Sequence, residues 1–437
     1  MFGFTERRAA VVARGGAKVV RLLGHCSKLL TERGQAASLS LGREMLDLYA
    51  QLNRQQQIRF FLGLHDEFAP DPEAVLAAAK RYAEEPSAER LVELHTLAEP
   101  PRQELLRRLN RAPGGMGAIL RMREHLLHAV HEHPKLTVVD WDFRHLLSSW
   151  FNPGFLQIVR VDWRTPAYIL ERIMAHEAVH EIQGWSDLRR RVERDRRCFA
   201  FFHPALPDEP LIFVEVALVD TMPNTIAPLL NAAMEHGDPN QATVAILYSI
   251  NNCQPGLRGV SLGSFLVKGV VDVLSTEFPK LRRFCTLSPI PGFATWLGTH
   301  LREPATERPS ALARSLDAIA KESGGDLSRL MADAAAAPER LKPLRDPLMA
   351  LCATYLLSTG TESEKAQDPV ARFHLNNGAR LERLNWRADE SKRSLRESLG
   401  MMVNYLYDPR AIEVNHERFV RGRIAASRQI TSLALVG

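Results

Sequence analysis

Residues 254–293 read QPGLRGVSLGSFLVKGVVDVLSTEFPKLRRFCTLSPIPGF, a turn rich in small residues followed by an apolar repeat and a second short apolar run. The run ATVAILYSI precedes this segment from Ala242, and the apolar spacing at 265–273 is that of a helix. The predicted order is therefore strand, tight turn and helix. Small residues let backbone N–H groups approach an anion, and the unpaired donors at a helix start favour a pyrophosphate there. A helix that is only packed close to its strand is the alternative interpretation.

The turn carries the pattern R-x-x-S-x-G, which resembles the acyl-coenzyme A loop of the GNAT acyltransferase fold. That loop prefers Q/R-x-x-G-x-G/A, so Ser261 stands where a glycine is usual, and serine does not reach positive φ as easily as glycine. The resemblance implies a coenzyme A phosphate loop made of eight residues: Gln254, Leu257, Arg258, Gly259, Val260, Ser261, Leu262 and Gly263.

The overall composition is that of an ordinary globular protein. The 437 residues, 45% of them hydrophobic and 24% charged, leave room for two or three domains. The 56 basic side chains outnumber the 51 acidic ones by only five. So mild an excess suits an anionic ligand or simple solubility and does not predict a nucleic-acid partner. No run of about 18 apolar residues occurs, so no membrane span is predicted.

The cysteines and the N-terminal segment are used to predict the cellular compartment of the protein. The five cysteines are scattered without C-x-x-C pairs, which is typical of reduced core thiols: Cys26, Cys198, Cys253, Cys285 and Cys352. The segment MFGFTERRAAVVARGGAKVVRLL is basic and amphipathic, but it lacks the serine enrichment of a transit peptide. We therefore expect it to begin the first helix and expect a cytoplasmic protein.

Residues 1–136 are predicted to form a helical bundle with a structural role. One apolar face of its second helix is marked by Leu41, Met45, Leu48 and Leu52. Further helical patterns follow at 58–68, 74–83, 88–97 and 103–109. Asp71, Pro72 and Glu73 combine a side-chain cap, a fixed φ and an acid near the helix dipole, which is a strong start signal.

From residue 137 onward, short β-branched or aromatic runs alternate with helical patterns. Strands are predicted at 155–161, 198–202, 211–219, 244–250 and 284–287, and helices include 166–182, 262–275 and 347–357. The predicted fold class is α+β, with a helical-bundle N-terminal domain (1–136) followed by a GNAT-like α/β catalytic domain (137–437).

His176, Glu177 and His180 spell HEAVH, the pattern in which zinc proteases place two histidines one helical turn apart beside a glutamate base. The two histidines continue the apolar stripe of Ile169 and Ile173, which favours packing against the sheet. No third histidine follows at the metzincin spacing. We expect no metal site here.

Two other charged clusters are interpreted as surface features. Four histidines close the last helix of the bundle without an acid or cysteine partner: His125, His128, His131 and His133. The basic run 189–197 contains Glu193 and Asp195, and it predicts a solvated face. One or two of its arginines could meet the 3′-phosphate of coenzyme A.

Ser288 and His374 are the candidates for chemistry. Ser288 follows the run RRFCTL and precedes a bend, PIPG, that two prolines and a glycine make rigid. His374 lies in PVARFHLNNGARLERLNW. Taken alone, a serine and a histidine 86 positions apart would be ordinary turn and core residues.

Six blocks together closely resemble the malonyl-CoA decarboxylase family over most of the chain. They are SSWFNPGFLQI from Ser148, RRCFAFFHPALPDEPLIFVEVAL from Arg196, GLRGVSLGSFLVK from Gly256, LSPIPGF from Leu287, FHLNNGA from Phe373 and MVNYLYD from Met402. The resemblance implies the two domains predicted above, a catalytic serine and histidine at Ser288 and His374, and a functional tyrosine at Tyr407. It also implies malonyl-CoA and acetyl-CoA as ligands, no organic cofactor or metal, and, with the leucine-rich helices, a homo-oligomer such as a dimer or tetramer.

The implied reaction removes CO2 from malonyl-CoA through a thioester enolate. It needs donors aimed at the developing oxyanion and a proton delivered to carbon, for which a serine and histidine are suited. The order of proton transfer between the two stays open, and an acyl-serine intermediate ranks lower. Two other functions remain open: a GNAT-type acyl-CoA N-acyltransferase and a non-catalytic acyl-CoA-binding sensor.

Overall fold

A computed structural model describes residues 16–231, 237–260, 265–304, 310–358 and 368–435. The chain divides into two compact units. The first comprises Met1–Gln157, Phe202–Glu209 and Gln254–Leu262, and the second comprises Ile158–Phe201, Pro210–Cys253 and Gly263–Gly437. In the described ranges, no helix is both long and apolar enough to span a bilayer.

The first unit is helical. Its α-helices, in the described residues, are α1 (Ala17–Thr31), α2 (Gln35–Ala50), α3 (Arg54–Glu67), α4 (Pro72–Glu84), α5 (Ala88–Ala98), α6 (Pro101–Arg111), α7 (Gly115–Glu132) and α8 (Thr137–Trp150). Of the four residues of the predicted apolar face, Leu41 and Met45 are buried on α2 and Leu48 is half-buried, whereas Leu52 is buried beyond the end of the helix at Ala50. Helix α4 begins as predicted, with the Asp71 carboxylate accepting the backbone N–H of Glu73 at 3.0 Å.

The second unit is built around a mixed eight-stranded sheet. Its strands are β1 (Gln157–Val161), β2 (Arg196–Phe202), β3 (Ile212–Val219), β4 (Val244–Asn252), β5 (Arg283–Thr286), β6 (Ser288–Pro289), β7 (Arg380–Asn385) and β8 (Met402–Tyr407). The strand order is β1-β2-β3-β4-β5-β8-β6, and β7 also pairs with β8. The predicted helical N-terminal region and the predicted mixed α/β sheet domain are thus both confirmed.

The helices of the second unit lie between and after these strands along the chain. They are α9 (Ala167–His176), α10 (Trp185–Arg191), α11 (Ala227–Leu230), α12 (Phe265–Glu277), α13 (Phe293–Arg302), α14 (Ser310–Ser323), α15 (Leu327–Ala336), α16 (Arg345–Leu357), α17 (Pro369–Asn376), α18 (Lys392–Ser398), α19 (Ile412–Val420) and α20 (Arg428–Leu433). The predicted order of strand, turn and helix around residue 254 corresponds to β4, the loop after it and α12.

The centre of the sheet combines antiparallel and parallel pairing. Strands β2, β3 and β4 are antiparallel neighbours, whereas β4 and β5 are parallel. The parallel pairing ends at Leu247 and Thr286, and β4 continues to Asn252. A register shift opposite Glu215 and Val216 makes Tyr248 the extra residue of a bulge.

The two faces of the sheet differ in what they present. One face buries an apolar cluster that includes Val244, Ile246, Cys285 and Leu287. Because successive side chains of a strand point to opposite faces, Thr286 is directed to the other face. That second face carries the polar groups described next.

Candidate active site

Ser288 lies at the junction of β5 and β8. It begins β6, pairs with Val403 of β8 and is 5% exposed. Its Oγ donates to Thr286 Oγ1 at 2.8 Å. Thr286 Oγ1 in turn accepts the backbone N–H of Tyr405 at 3.2 Å. The hydroxyl of Ser288 is therefore fixed to the sheet through a second hydroxyl.

His374 faces Ser288 from the last turn of α17. Its Nε2 is 3.1 Å from Ser288 Oγ, and its Nδ1 is 2.7 Å from the hydroxyl oxygen of Tyr407. The imidazole stacks on the ring of Tyr405 with 4.4 Å between centroids. The structure thus brings the predicted residues Ser288, His374 and Tyr407 into one buried group.

The protonation of this group follows from its burial. Burial lowers the pKa of His374 to about 3 and raises the pKa of Tyr407, so both side chains are neutral near pH 7. Among the described residues, His374 Nδ1 is the one hydrogen-bond partner of the Tyr407 hydroxyl. We assign Tyr407 as the donor to Nδ1, because a phenol is a stronger donor and a weaker acceptor than an alkyl hydroxyl; in this tautomer the imidazole proton lies on Nε2, facing Ser288. Donation runs from Tyr407 to His374, then to Ser288 and then to Thr286.

This direction of donation limits the chemistry of Ser288. A serine nucleophile needs a base that accepts its proton, whereas here His374 Nε2 donates to the serine. The arrangement instead offers the Ser288 hydroxyl proton to a basic atom, with the Nε2 proton of His374 behind it.

The described part of the predicted coenzyme loop, residues 254–260, belongs to the first unit. Arg123 of α7 is 1% exposed and donates from Nη1 to the Gly256 carbonyl at 2.7 Å. Its Nε donates to Asp140 of α8 at 2.8 Å. A Cβ at Gly256 would lie 2.2 Å from the Leu120 carbonyl oxygen, so only glycine fits. This end of the loop is anchored on the helices.

The middle of the loop presents cationic groups at its surface. Gly259 has φ +75°, a conformation that favours glycine. Arg258 is exposed, and the stem of Arg144 lies 3.8 Å from where a Cβ of Gly259 would be. Neither guanidinium forms an ion pair with any residue in the described ranges. Leu257 and Val260 are buried and Gln254 is half-buried, whereas Ser261, Leu262 and Gly263 lie outside the described residues.

The arginine run before β2 is not the solvated face that was predicted. Four of its members are buried and paired with acids: Arg190 with Asp195, Arg191 with Glu215, Arg196 with Asp195, and Arg197 with Glu277. Buried cations need partners, and these have them. The four are engaged inside the second unit, so the idea that they meet a 3′-phosphate has no support from their geometry.

The HEAVH segment is not a helical metal motif. Helix α9 ends at His176, whereas the predicted helix continued to residue 182, and Glu177 has extended backbone angles. The Glu177 carboxylate accepts Ser249 Oγ at 2.8 Å and Asn251 Nδ2 at 2.7 Å, together with two backbone N–H groups that follow it. These donors end the helix by tying the segment to β4. No group of three or more histidine, cysteine or acidic side chains in the described part of the chain could hold a metal ion.

The histidines at the end of α7 differ among themselves. His128 and His131 are exposed, as predicted for a solvated helix end, and His133 is half-buried. His125 instead turns inward, where its Nδ1 is 3.0 Å from the hydroxyl oxygen of Tyr49.

The sequence analysis did not identify three residues of the candidate site: Thr286, Asp368 and Tyr405. Thr286 could have been found from its spacing, because it lies two positions before Ser288 on the same strand face. Asp368 precedes Pro369 as Asp71 precedes Pro72, which is the same helix-start signal. Tyr405 carries no such signal, since its contact with His374 depends on the pairing of β8 in the sheet.

Comparison with protein families gives two matches that together span most of the chain. The family model described as the malonyl-CoA decarboxylase C-terminal domain matches residues 154–435. The model described as the malonyl-CoA decarboxylase N-terminal domain matches residues 68–151.

Individual relatives and solved structures agree with these matches. The chain is 37% identical to the mitochondrial malonyl-CoA decarboxylase of Mus musculus over 345 residues, 75% of this chain and 70% of the relative. The corresponding protein of Anser anser anser is 36% identical over 76% of this chain and 69% of its own length. A crystal structure of malonyl-CoA decarboxylase from Rhodopseudomonas palustris superposes with a TM-score of 0.85 at 44% identity, covering 95% of this chain and 99% of that one.

Proposed function

The chain belongs to the malonyl-CoA decarboxylase family, and on this basis we propose that it converts malonyl-CoA to acetyl-CoA and CO2. The observation that carries the chemistry is the buried series of hydrogen bonds from Tyr407 through His374 to Ser288. A proton-delivering group is what a carbanion intermediate requires, and such positioned acids contribute roughly 10²–10⁴-fold to rate.

Breaking the bond between the carboxylate and the α-carbon releases CO2 and leaves the electron pair on the thioester enolate. The enolate carbon is a far stronger base than an alkoxide, so the neutral hydroxyl of Ser288 can protonate it. As that O–H bond breaks, the Nε2 proton of His374 passes to Ser288 Oγ. The negative charge then rests on the imidazolate, which Tyr407 stabilises by donating to Nδ1, until a proton from solvent restores the neutral ring. One proton is consumed per turnover and returns from solvent. This order makes Ser288 the immediate donor and His374 its reservoir.

An acyl-serine intermediate is disfavoured by the same hydrogen bonds. Nucleophilic attack by Ser288 would need His374 Nε2 to accept the serine proton, but Tyr407 holds the imidazole in the tautomer that donates there. Decarboxylation has no need of acyl transfer. We therefore assign direct protonation rather than covalent catalysis.

We assign the coenzyme A phosphates to residues 254–263. Support comes from the glycine at positive φ, from the exposed Arg258, which forms no ion pair with the residues that the structure describes, and from the loop's anchoring by Arg123. An arginine without an acidic partner is available for charge-assisted hydrogen bonds to phosphate.

Several finer assignments belong to the same proposal. We describe the sheet as GNAT-like because a loop and helix α12 connect the parallel strands β4 and β5, which is the chain order of that fold. The functional boundary is placed between residues 136 and 137, and the protein is assigned as a homo-oligomer. It is assigned to the cytoplasm, although the named vertebrate relatives are mitochondrial.

Incubating the protein with malonyl-CoA, with neither an acyl acceptor nor metal added, tests the proposed function. Acetyl-CoA and CO2 are expected in equal amounts. An N-acyltransferase would consume the thioester only when an amine is supplied, and a sensor would bind it unchanged. Absence of CO2 release from correctly folded protein would reject the decarboxylase assignment.

The pH dependence of the reaction should reflect a neutral His374. The pKa of His374, near 3, keeps the donating Nε2–H form in place well below the usual histidine value of about 6.5. We expect kcat/KM for malonyl-CoA to show no acid limb from this group between pH 7 and 5. The measurement is a pH–rate profile, and an acid limb centred near pH 6.5 would contradict the assignment.

Unfolding must be monitored alongside that profile. A histidine whose folded pKa is depressed contributes stability above about pH 6.5, and this stability is lost as pH falls, because the unfolded chain takes up the proton first. His180, whose pKa burial lowers to about 4, acts in the same direction. Circular dichroism at each pH separates loss of fold from loss of catalysis.

A further inference from the structure

Asp368 joins two segments of the candidate site through one carboxylate. Its Oδ1 caps α17 by accepting the backbone N–H groups of Val370 at 2.9 Å and Ala371 at 3.0 Å. Its Oδ2 accepts the backbone N–H of Gly292 at 3.0 Å and lies 3.4 Å from the Tyr355 hydroxyl, which donates to it. The side chain is 2% exposed.

The two joined segments are those that carry the proposed catalytic pair. Gly292 closes the rigid bend that starts directly after Ser288. Helix α17 begins one residue after Asp368 and carries His374 in its last turn. The carboxylate thus links the segment that follows Ser288 to the start of the helix that carries His374.

The fit around this carboxylate is tight. A Cβ at Gly292 would lie 2.1 Å from the hydroxyl oxygen of Tyr355, the side chain that donates to Asp368, so only glycine fits at this position. Burial is the first cause that raises the pKa of Asp368, and the three backbone N–H groups oppose it. Such a buried group keeps its place only while its acceptor oxygens stay paired.

We propose that Asp368 is a positioning residue, which holds the Ser288 bend and helix α17 together so that Ser288 Oγ and His374 Nε2 stay within hydrogen-bond distance. The inference rests on the proposed function, because it assigns Asp368 to the geometry of that Ser288–His374 pair. Misplacement of reacting groups by about 1 Å costs on the order of 10²-fold in rate. Asp368 itself touches neither the substrate nor the proton that is transferred.

The substitution Asp368→Asn separates the two tasks of the carboxylate. The amide oxygen can still accept from Val370 and Ala371, so the cap of α17 survives. The amide NH2 then faces the Gly292 N–H, where a donor meets a donor and the link is lost. We expect kcat to fall about 10- to 100-fold, with KM for malonyl-CoA changed less than about threefold.

Asp71→Asn is the matched control. Asp71 also precedes a proline and caps its helix by accepting two backbone N–H groups, of Glu73 and Ala74. It is exposed and lies in the first unit. Its replacement should leave kcat and KM unchanged, which shows that the effect at Asp368 does not come from helix capping.

A double-mutant cycle with Ser288→Ala tests positioning directly. If Asp368 acts through the serine, Asp368→Asn should lower the residual activity of Ser288→Ala little or not at all. Undiminished kcat in the single variant, or full additivity in the cycle, overturns the proposal. If Asp368→Asn fails to fold, Asp368→Ser, which keeps a capping oxygen, faces the same two outcomes.

Wild-type protein in the same assay reports on the proposed function alone. No CO2 from the wild type rejects that function, whereas normal wild-type turnover with an unaffected variant rejects only the role of Asp368.

Discussion

Replacing Ser288 by alanine should lower kcat for CO2 release by roughly 10²–10⁴-fold while KM for malonyl-CoA changes little. In the proposed mechanism this hydroxyl protonates the enolate carbon, and the proton on His374 Nε2, 3.1 Å from Ser288 Oγ, reaches the carbon only through that oxygen. Alanine retains the backbone and Cβ of a side chain that is 5% exposed, so the pairing with Val403 should persist. Steady-state kinetics of CO2 release measure both constants.

A second buried serine supplies the control for this experiment. Ser398 is 1% exposed and donates to the Met401 carbonyl at 2.7 Å, so its change to alanine also removes a buried hydroxyl and its hydrogen bond. That variant should lose about 1 kcal/mol of unfolding free energy and keep its kcat. If Ser288→Ala behaves like Ser398→Ala and turns over at the wild-type rate, proton delivery from Ser288 is wrong.

The central fold was predictable because its signals are local. Strand β4, helix α12 and strand β5 each carry their own hydrophobic period, and each was predicted to within a few residues. The short β6, the polar β7 and the fully buried β8 were not predicted. Their pairing is set by the neighbours of β8 in the sheet, and spacing within their own sequence does not record it.

In the HEAVH segment, tertiary contacts override the helical pattern of the local sequence. The apolar stripe of α9 continues in the sequence beyond His176, yet the helix ends there. Glu177 finds better partners in Ser249 and Asn251 of β4, some 70 positions later, and its carboxylate also caps the backbone that follows. The five residues of HEAVH do not include Ser249 or Asn251, so this pattern alone could not predict where the helix ends.

The proposed catalytic pair depended on a different kind of information. Ser288 and His374 were chosen by family resemblance, since their separation in sequence says nothing about contact. Strand β8 explains the contact in physical terms, because its pairing with β5 and β6 places Tyr405 and Tyr407 beside the histidine. The tautomer assigned to His374, and with it the proposed order of proton transfer, required those contacts and could not be assigned from the sequence.

Replacing Arg123 by alanine should reduce the free energy of unfolding of the helical unit by about 3–5 kcal/mol. The change strands the Asp140 carboxylate and the Gly256 carbonyl, and it removes one of the largest fully buried side chains. Because Gly256 lies in the proposed coenzyme loop, amide hydrogens of residues 254–260 should also lose exchange protection, and KM for malonyl-CoA should rise.

Arg121→Ala on the same helix separates this effect from a general loss of positive charge. Arg121 is exposed and forms no ion pair within the described ranges, so its removal should change stability by less than about 0.5 kcal/mol. Urea unfolding gives the stability, and hydrogen exchange gives the local protection of the loop. A destabilised Arg123→Ala protein whose loop keeps its protection and whose KM is unchanged would show that Arg123 supports the helices alone. Coupled changes in all three quantities would instead mean that the helical unit sets the geometry of the coenzyme loop.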